Sequence, residues 1–116
     1  MTIKEKNDLI CSLLQEKKAH NIISIAVEHL TIIADYFIIC SARNATQAKA
    51  LAHHVEEELE EREIFVKHKE GVREGRWIIL DYVEIIVHIF LNETRELYSL
   101  EKLWSDGANI RNYGEE

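Results

Sequence analysis

Three segments of the chain place apolar residues at the three- and four-residue spacing of a helix. The first runs from Ile3 to about Lys18, and the second from Ser41 to Arg62, where Asn44 or Thr46 is placed to cap the helix. The third lies near the C-terminus. Their stripes are Leu9, Ile10, Leu13 and Leu14; Ala48, Leu51, Val55 and Leu59; and Leu97, Leu100 and Trp104. We expect three helices, each packed through one apolar face.

Five shorter runs rich in isoleucine, valine and aromatic residues have the composition of strands. They cover 22–27, 35–40, 64–69, 77–82 and 85–91. The apolar residues of LTIIA, which connects the first two strands, are expected to enter the core. A strand, the long helix and a further strand predict a parallel pair, and the last two strands add an antiparallel hairpin. The predicted fold is therefore α/β, a mixed five-stranded sheet with helices packed against it.

The hairpin assigns each of its side chains to a face, because successive residues of a strand point to opposite sides of the sheet. A turn at Val83 and Glu84 would pair Trp77 with Phe90, Ile79 with His88, and Asp81 with Ile86. One face then holds Ile78, Leu80, Tyr82, Ile85, Val87 and Ile89, which are nearly all apolar. The other holds Trp77, Ile79, Asp81, Ile86, His88 and Phe90. This second face mixes aromatic side chains with a carboxylate and an imidazole.

Three interpretations of that mixed face compete. Asp81 and His88 could satisfy each other or nearby backbone beneath the last helix, since buried polar groups must be hydrogen-bonded. The aromatic residues could instead bind a partner, as aromatic anchors do at interfaces. Catalysis through Asp81 and His88 is the third interpretation, but no nucleophile or metal site completes it. His54 and Glu58, one helical turn apart, lack a third metal ligand, and a solvated helix face explains them better.

Length and composition indicate one globular domain at residues 1–107 and a short tail at 108–116, with no linker in the 116 residues. The net charge of −7 disfavours wrapping by nucleic acid and favours a basic protein partner. The charged amphipathic N-terminus does not resemble a secretory signal, and no apolar run approaches the length of a membrane span. We expect a cytoplasmic protein with little direct nucleic acid contact. Cys11 and Cys40 are predicted to be buried thiols.

Residues spread over roughly 8 to 107 also form an ordered set: KKA followed by Ile22, ADYFIICSA, Glu70 with Gly71, WIILDY, VHIF, Arg95, Tyr98 and LEKLW. This set resembles the ribosomal silencing factor family, also called the Iojap family. The resemblance implies a nucleotidyltransferase-like fold without transferase activity and without a cofactor. It also implies binding to ribosomal protein fourteen of the large subunit, on the face that meets the small subunit. Joining of the subunits would be blocked and translation repressed when nutrients are short, and members often dimerise when isolated.

Together these arguments predict a partner-binding patch rather than a catalytic or metal site. Its members are Trp77, Asp81, His88, Arg95 and Tyr98. Tyr82 and Trp104 are expected to pack inside. The rival hypotheses are a nucleotidyl- or phosphotransferase that uses Asp81 with a divalent ion, and a generic homodimeric adaptor.

Two positions depart from the family pattern. Members usually carry glycine where this chain has Val83, so the turn is expected to avoid a positive φ at this residue and to be wider than two residues. Members also tend to carry acidic residues in place of His20 and Asn21.

Overall fold

A computed structural model of the protein describes residues 1–113 and shows a six-stranded mixed sheet with helices on both faces. The elements are α1 (Ile3–Glu16), β1 (His20–Ala26), β2 (Tyr36–Ala42), α2 (Ala45–Glu60), β3 (His68–Glu70), β4 (Trp77–Asp81), β5 (Ile85–Leu91), α3 (Asn92–Tyr98), α4 (Leu100–Trp104) and β6 (Ile110–Tyr113). The strand order is β3-β4-β5-β2-β1-β6. Only β2 and β5 pair in parallel; the other neighbours are antiparallel.

The α/β class and the mixed sheet are confirmed, whereas the count of five strands is wrong. The expected parallel pairing of the two strands that flank the long helix is also wrong, because β2 pairs in parallel with β5. The sixth strand, Ile110–Tyr113, pairs with β1 at the sheet edge. Its four residues, Ile-Arg-Asn-Tyr, do not alternate between apolar and polar, so the sequence gives no strand signal here. The segment at 64–69 is also different from the prediction. Only His68–Glu70 is a strand, and it pairs with β4 instead of joining the parallel pair.

The larger core lies between the sheet and the helices α1 and α2, as the two apolar stripes predict. Thr2 and Glu5 cap α1 reciprocally through a capping box. The side chain of Asn44 caps α2 by accepting a hydrogen bond from the amide of Gln47, so Asn44 and not Thr46 fills that role. Cys11 and Cys40 are buried in this core as free thiols, as expected.

A smaller core covers the opposite face of the sheet and is closed by the last two helices. The sequence pattern predicts one helix here, but Ser99 adopts a left-handed conformation (φ 48°) and divides the segment into α3 and α4. Trp104 therefore packs edge-on against Phe37, with ring centroids 5.1 Å apart. Leu97, expected in the buried stripe, is instead 78% exposed.

The connection between β1 and β2 does not enter the core as expected. Ile32 is fully exposed, and Leu30 and Ile33 are also exposed, while Ala34 alone among the apolar residues of LTIIA is buried. Two backbone amides, of Asp35 and Tyr36, donate to the Glu84 carbonyl at 2.7 and 3.1 Å and hold the loop against the β4–β5 turn. Within residues 1–113, no helix is long and apolar enough to cross a membrane.

Candidate functional site

The β4–β5 hairpin has the register that strand parity predicts. Trp77 pairs with Phe90, Ile79 with His88, and Asp81 with Ile86. The apolar side of the hairpin is sealed in the larger core, including Tyr82, which is 6% exposed. The mixed side faces the smaller core and is covered only in part by α3 and α4. We call the accessible portion the hairpin face; it consists of Trp77, Ile79, Asp81, Ile86 and Tyr98.

Trp77 is the centre of the hairpin face and is held by contacts on three sides. Its indole Nε1 donates a hydrogen bond to Nδ1 of His88 at 3.0 Å. Its ring stacks on Phe90 with centroids 4.9 Å apart, and the Tyr98 ring lies against it at 4.7 Å. Because the hydrogen bond and the ring contacts fix its rotamer, this half-buried side chain is presented in one orientation.

His88 lies beneath Trp77 and is 8% exposed. Burial lowers the pKa of its imidazole from 6.5 to about 4, so the ring is neutral near pH 7. Since Nδ1 accepts from Trp77, the proton of the neutral ring resides on Nε2. The edge of the ring contacts Phe37, at 5.7 Å between centroids. Such a side chain orients Trp77 from below and is not placed to meet a partner directly.

Asp81 and His88 do not bond to each other, but Asp81 is satisfied by nearby backbone, which the first of the three interpretations also allowed. Oδ1 of Asp81 accepts a hydrogen bond from the amide of Val83 at 2.8 Å, which shapes the turn. The expectation of a wider turn without a positive φ is wrong. Val83 has φ 76°, and the turn spans two residues, closed by the Tyr82 amide donating to the Ile85 carbonyl at 2.9 Å. A β-branched residue is strained in this conformation.

Arg95 is 8% exposed and ties α3 to the sheet. Nη1 donates to the carbonyl of Asn21 at 2.7 Å and to Oγ of Ser41 at 2.9 Å, and Nε donates to Glu101 at 3.2 Å. These bonds join β1, β2, α3 and α4 around one guanidinium. The structure therefore places Arg95, like His88, among the supports of the hairpin face.

Tyr98 and Leu97 are the exposed residues that α3 adds to this region. Tyr98 is 50% exposed and lies against Trp77. Helical periodicity predicts that its neighbour Leu97 is buried. Nothing in the local pattern predicts that the helix ends at Ser99, which is why Leu97 is exposed instead. Of the five predicted patch residues, the structure brings Trp77, Asp81 and Tyr98 to the surface and buries the other two.

The described residues offer little for catalysis at this face. Asp81 is the only carboxylate of the hairpin face, and one of its oxygens is engaged by the turn. Among residues 1–113, no three His, Cys, Asp or Glu side chains are grouped closely enough to hold a metal ion. His54 bonds to Glu16 at 3.0 Å instead of combining with Glu58. Burial also raises the pKa of the Cys40 thiol to about 12, which leaves it a poor nucleophile.

Comparison with known proteins identifies the family, which the geometry of the site does not. A family model described as "Ribosomal silencing factor during starvation" matches residues 1–116. The ribosomal silencing factor RsfS of Bacillus subtilis is 37% identical over 78% of this chain and 77% of its own length. The corresponding protein of Halalkalibacterium halodurans is 32% identical over 95% of this chain and 94% of its own length. A mouse protein named for mitochondrial assembly of the ribosomal large subunit is 32% identical over 84% of this chain and 44% of its own length.

Solved structures agree with this comparison. A crystal structure of a protein from Chromobacterium violaceum superimposes with a TM-score of 0.87 at 31% identity, covering 90% of this chain and 87% of that one. A second, from Bacillus halodurans, gives a TM-score of 0.79 at 31% identity and covers 87% and 94% of the two chains. The sequence and the fold lead to the same assignment: this chain belongs to the ribosomal silencing factor family.

Proposed function

We propose that the protein silences translation by binding the large ribosomal subunit through the hairpin face and excluding the small subunit by steric overlap. Its docking partner in this proposal is ribosomal protein fourteen of the large subunit. The observation that carries the assignment of the surface is the contact between two aromatic rings, a half-buried Trp77 held by His88 and Phe90 and a Tyr98 that is 50% exposed. Membership of the silencing factor family supports the ribosome as the target.

The hairpin face has the composition of an interface centre. Half-buried Ile79 and Ile86 lie on the same side of the hairpin as Trp77, and exposed Leu97 adjoins Tyr98 on α3. Interface hot spots are enriched in tryptophan and tyrosine, and a standard interface buries about 800 Å² on each partner. Because His88 and Phe90 already fix the Trp77 ring, little side-chain entropy is lost when a partner covers it.

His88 and Arg95 have an indirect role in this proposal. His88 holds the indole from below, and Arg95 holds α3, which carries Tyr98. Substitution of either residue would weaken binding by releasing an aromatic ring, without removing a contact to the partner.

Electrostatics favour a basic partner for this face. Asp81 lies on it, Glu84 adjoins it at the turn, and the chain as a whole has a net charge of −7. Opposite charge steers encounter and raises the association rate more than it raises final affinity. The association rate should therefore fall as salt concentration rises.

The test is co-sedimentation with isolated large subunits, followed by a subunit-joining assay. Trp77→Ala and Tyr98→Ala should each weaken binding by about 2 kcal/mol, roughly thirtyfold, because each removes an aromatic anchor. Both variants should lose the ability to prevent subunit joining.

Phe65→Ala is the matched control. Phe65 is an exposed aromatic residue (66%), comparable with Tyr98 (50%), but it lies before β3, outside the hairpin face. Circular dichroism should show that all three variants are folded. If folded Trp77→Ala and Tyr98→Ala bind as tightly as Phe65→Ala, the hairpin face is not the docking surface.

A further inference from the structure

One end of the sheet collects basic residues from four separate segments of the chain. They are Lys17, Lys18, Arg43, Lys49, Arg73 and Arg76, which we call the basic end. The sheet register explains why they meet. Ala42 at the end of β2 lies beside Leu91 at the end of β5, and His20 at the start of β1 pairs with Ser41. The residues just outside these strand ends must therefore share one edge of the molecule.

Specific contacts fix the segments of the basic end to one another. The Gln47 side chain accepts from the Arg43 amide at 2.7 Å and donates to the Lys18 carbonyl at 3.1 Å. The Arg76 carbonyl accepts from the Leu91 amide at 2.9 Å. The turn that carries Arg73 packs against the start of α2 so closely that a Cβ on Gly75 would lie 2.8 Å from the Cβ of Ala45. The basic end is thus a defined surface.

The six cations are exposed and are not neutralised by ion pairs. Within residues 1–113, none of them has a carboxylate oxygen within 4.0 Å, although other lysines and arginines do. Four acidic residues belong to the same edge: Glu16, which pairs with His54, Glu74 in the turn, and Glu93 and Glu96 in α3. The excess of positive charge persists in spite of the overall charge of −7, because most acidic side chains lie elsewhere.

The charges along the long helix α2 are arranged in the direction that does not stabilise a helix. A helix N-terminus is stabilised by acidic residues and its C-terminus by basic ones. In α2 the first turn has no acidic residue and the last turn no basic residue. Arg43 and Lys49 lie at the positive end instead, while Glu57, Glu58 and Glu60 lie towards the negative end. Stability of the helix does not account for this distribution, which points to a partner of negative charge at the basic end.

We propose that the basic end binds the phosphodiester backbone of RNA on the large ribosomal subunit, beside the protein contact made by the hairpin face. This inference rests on the proposed function. Exposed lysine and arginine groups bind phosphate through charge-assisted hydrogen bonds, and arginine can do so in a bidentate manner. The overall negative charge prevents wrapping by RNA, but it does not prevent a local contact to a few phosphates. The net charge alone had predicted little contact with nucleic acid.

The test compares two triple variants with the same net charge. Lys18→Gln/Arg43→Gln/Arg76→Gln removes half of the basic end. Lys4→Gln/Lys67→Gln/Arg111→Gln is the control, since these three residues are likewise exposed and lie away from the strand ends that carry the basic end. Affinity for isolated large subunits is measured by sedimentation from 50 to 300 mM potassium chloride. Each phosphate contact contributes about 0.7 to 0.9 to the slope of log K against log salt concentration.

The basic-end variant should bind about tenfold or more weakly at about 100 mM salt, with a slope about 2 less steep than that of the unmodified protein. The control variant should keep a slope steeper than that of the basic-end variant. Hydroxyl-radical footprinting of ribosomal RNA should show backbone positions that are protected by the unmodified protein and the control but not by the basic-end variant.

Equal slopes for the two variants, or a footprint without protected RNA backbone, would overturn the inference; the second result would assign the basic end to an acidic protein. Both results leave the proposed function intact if Trp77→Ala still weakens binding roughly thirtyfold. Failure of the unmodified protein to bind large subunits would overturn both proposals.

Discussion

His88 should make the folded protein sensitive to mild acid. Its pKa is about 4 in the folded chain and 6.5 for an ordinary imidazole. Between these values the unfolded chain binds one more proton at His88 than the folded chain, so the contribution of His88 to stability is fully present above pH 6.5 and is lost as the pH drops towards 4. A gap of about 2.5 pKa units corresponds to roughly 3 kcal/mol in total, of which about 2 kcal/mol is lost by pH 5. That loss is a large fraction of the stability of a small domain.

Urea unfolding at pH 7.5 and pH 5.0, followed by tryptophan fluorescence, measures this effect. The unmodified protein should lose about 2 kcal/mol more than His88→Gln over that interval, because glutamine does not titrate and other groups contribute equally to both. His53→Gln is the control, since it makes the same substitution at an exposed histidine on α2. Equal losses in the unmodified protein and in His88→Gln would show that His88 is not buried as a neutral ring.

Two further predictions concern residues that shape the hairpin face. Val83→Gly should stabilise the protein by about 1 kcal/mol in the same urea assay, because relief of the strain at φ 76° exceeds the entropy lost by glycine; a destabilised variant would contradict a strained turn. Arg95→Met should destabilise it by roughly 3 kcal/mol, because Ser41, Glu101 and the Asn21 carbonyl lose their shared donor. A loss below 1 kcal/mol would show that Arg95 does not hold α3 to the sheet.

The sequence predicts where the candidate site lies, but only some of the residues that it assigns to the site are exposed. Hairpin parity placed Trp77 and Asp81 on one face, because alternation along a strand is a local property. It could not show that His88 would be covered by the rings around it. The burial of Arg95 depends on acceptors that lie 54 and 74 residues away along the chain.

The basic end shows the same limit. Net charge is a sum over the sequence, and it gave no indication that cations from distant segments would meet at one edge. Their meeting follows from the parallel register of β2 with β5 and from the placement of α1 and α2 on the same side of the sheet.

The sequence by itself determined the class of fold, the two long helices, the central strands and the register of the hairpin. These features arise from hydrophobic periodicity and capping residues, which act over a few positions. The tertiary structure decided the sixth strand, the break of the last helix at Ser99, the exposure of Leu30, Ile32 and Ile33, and which patch residues meet solvent. Burial and charge clustering depend on contacts between distant segments, and a local pattern does not contain that information.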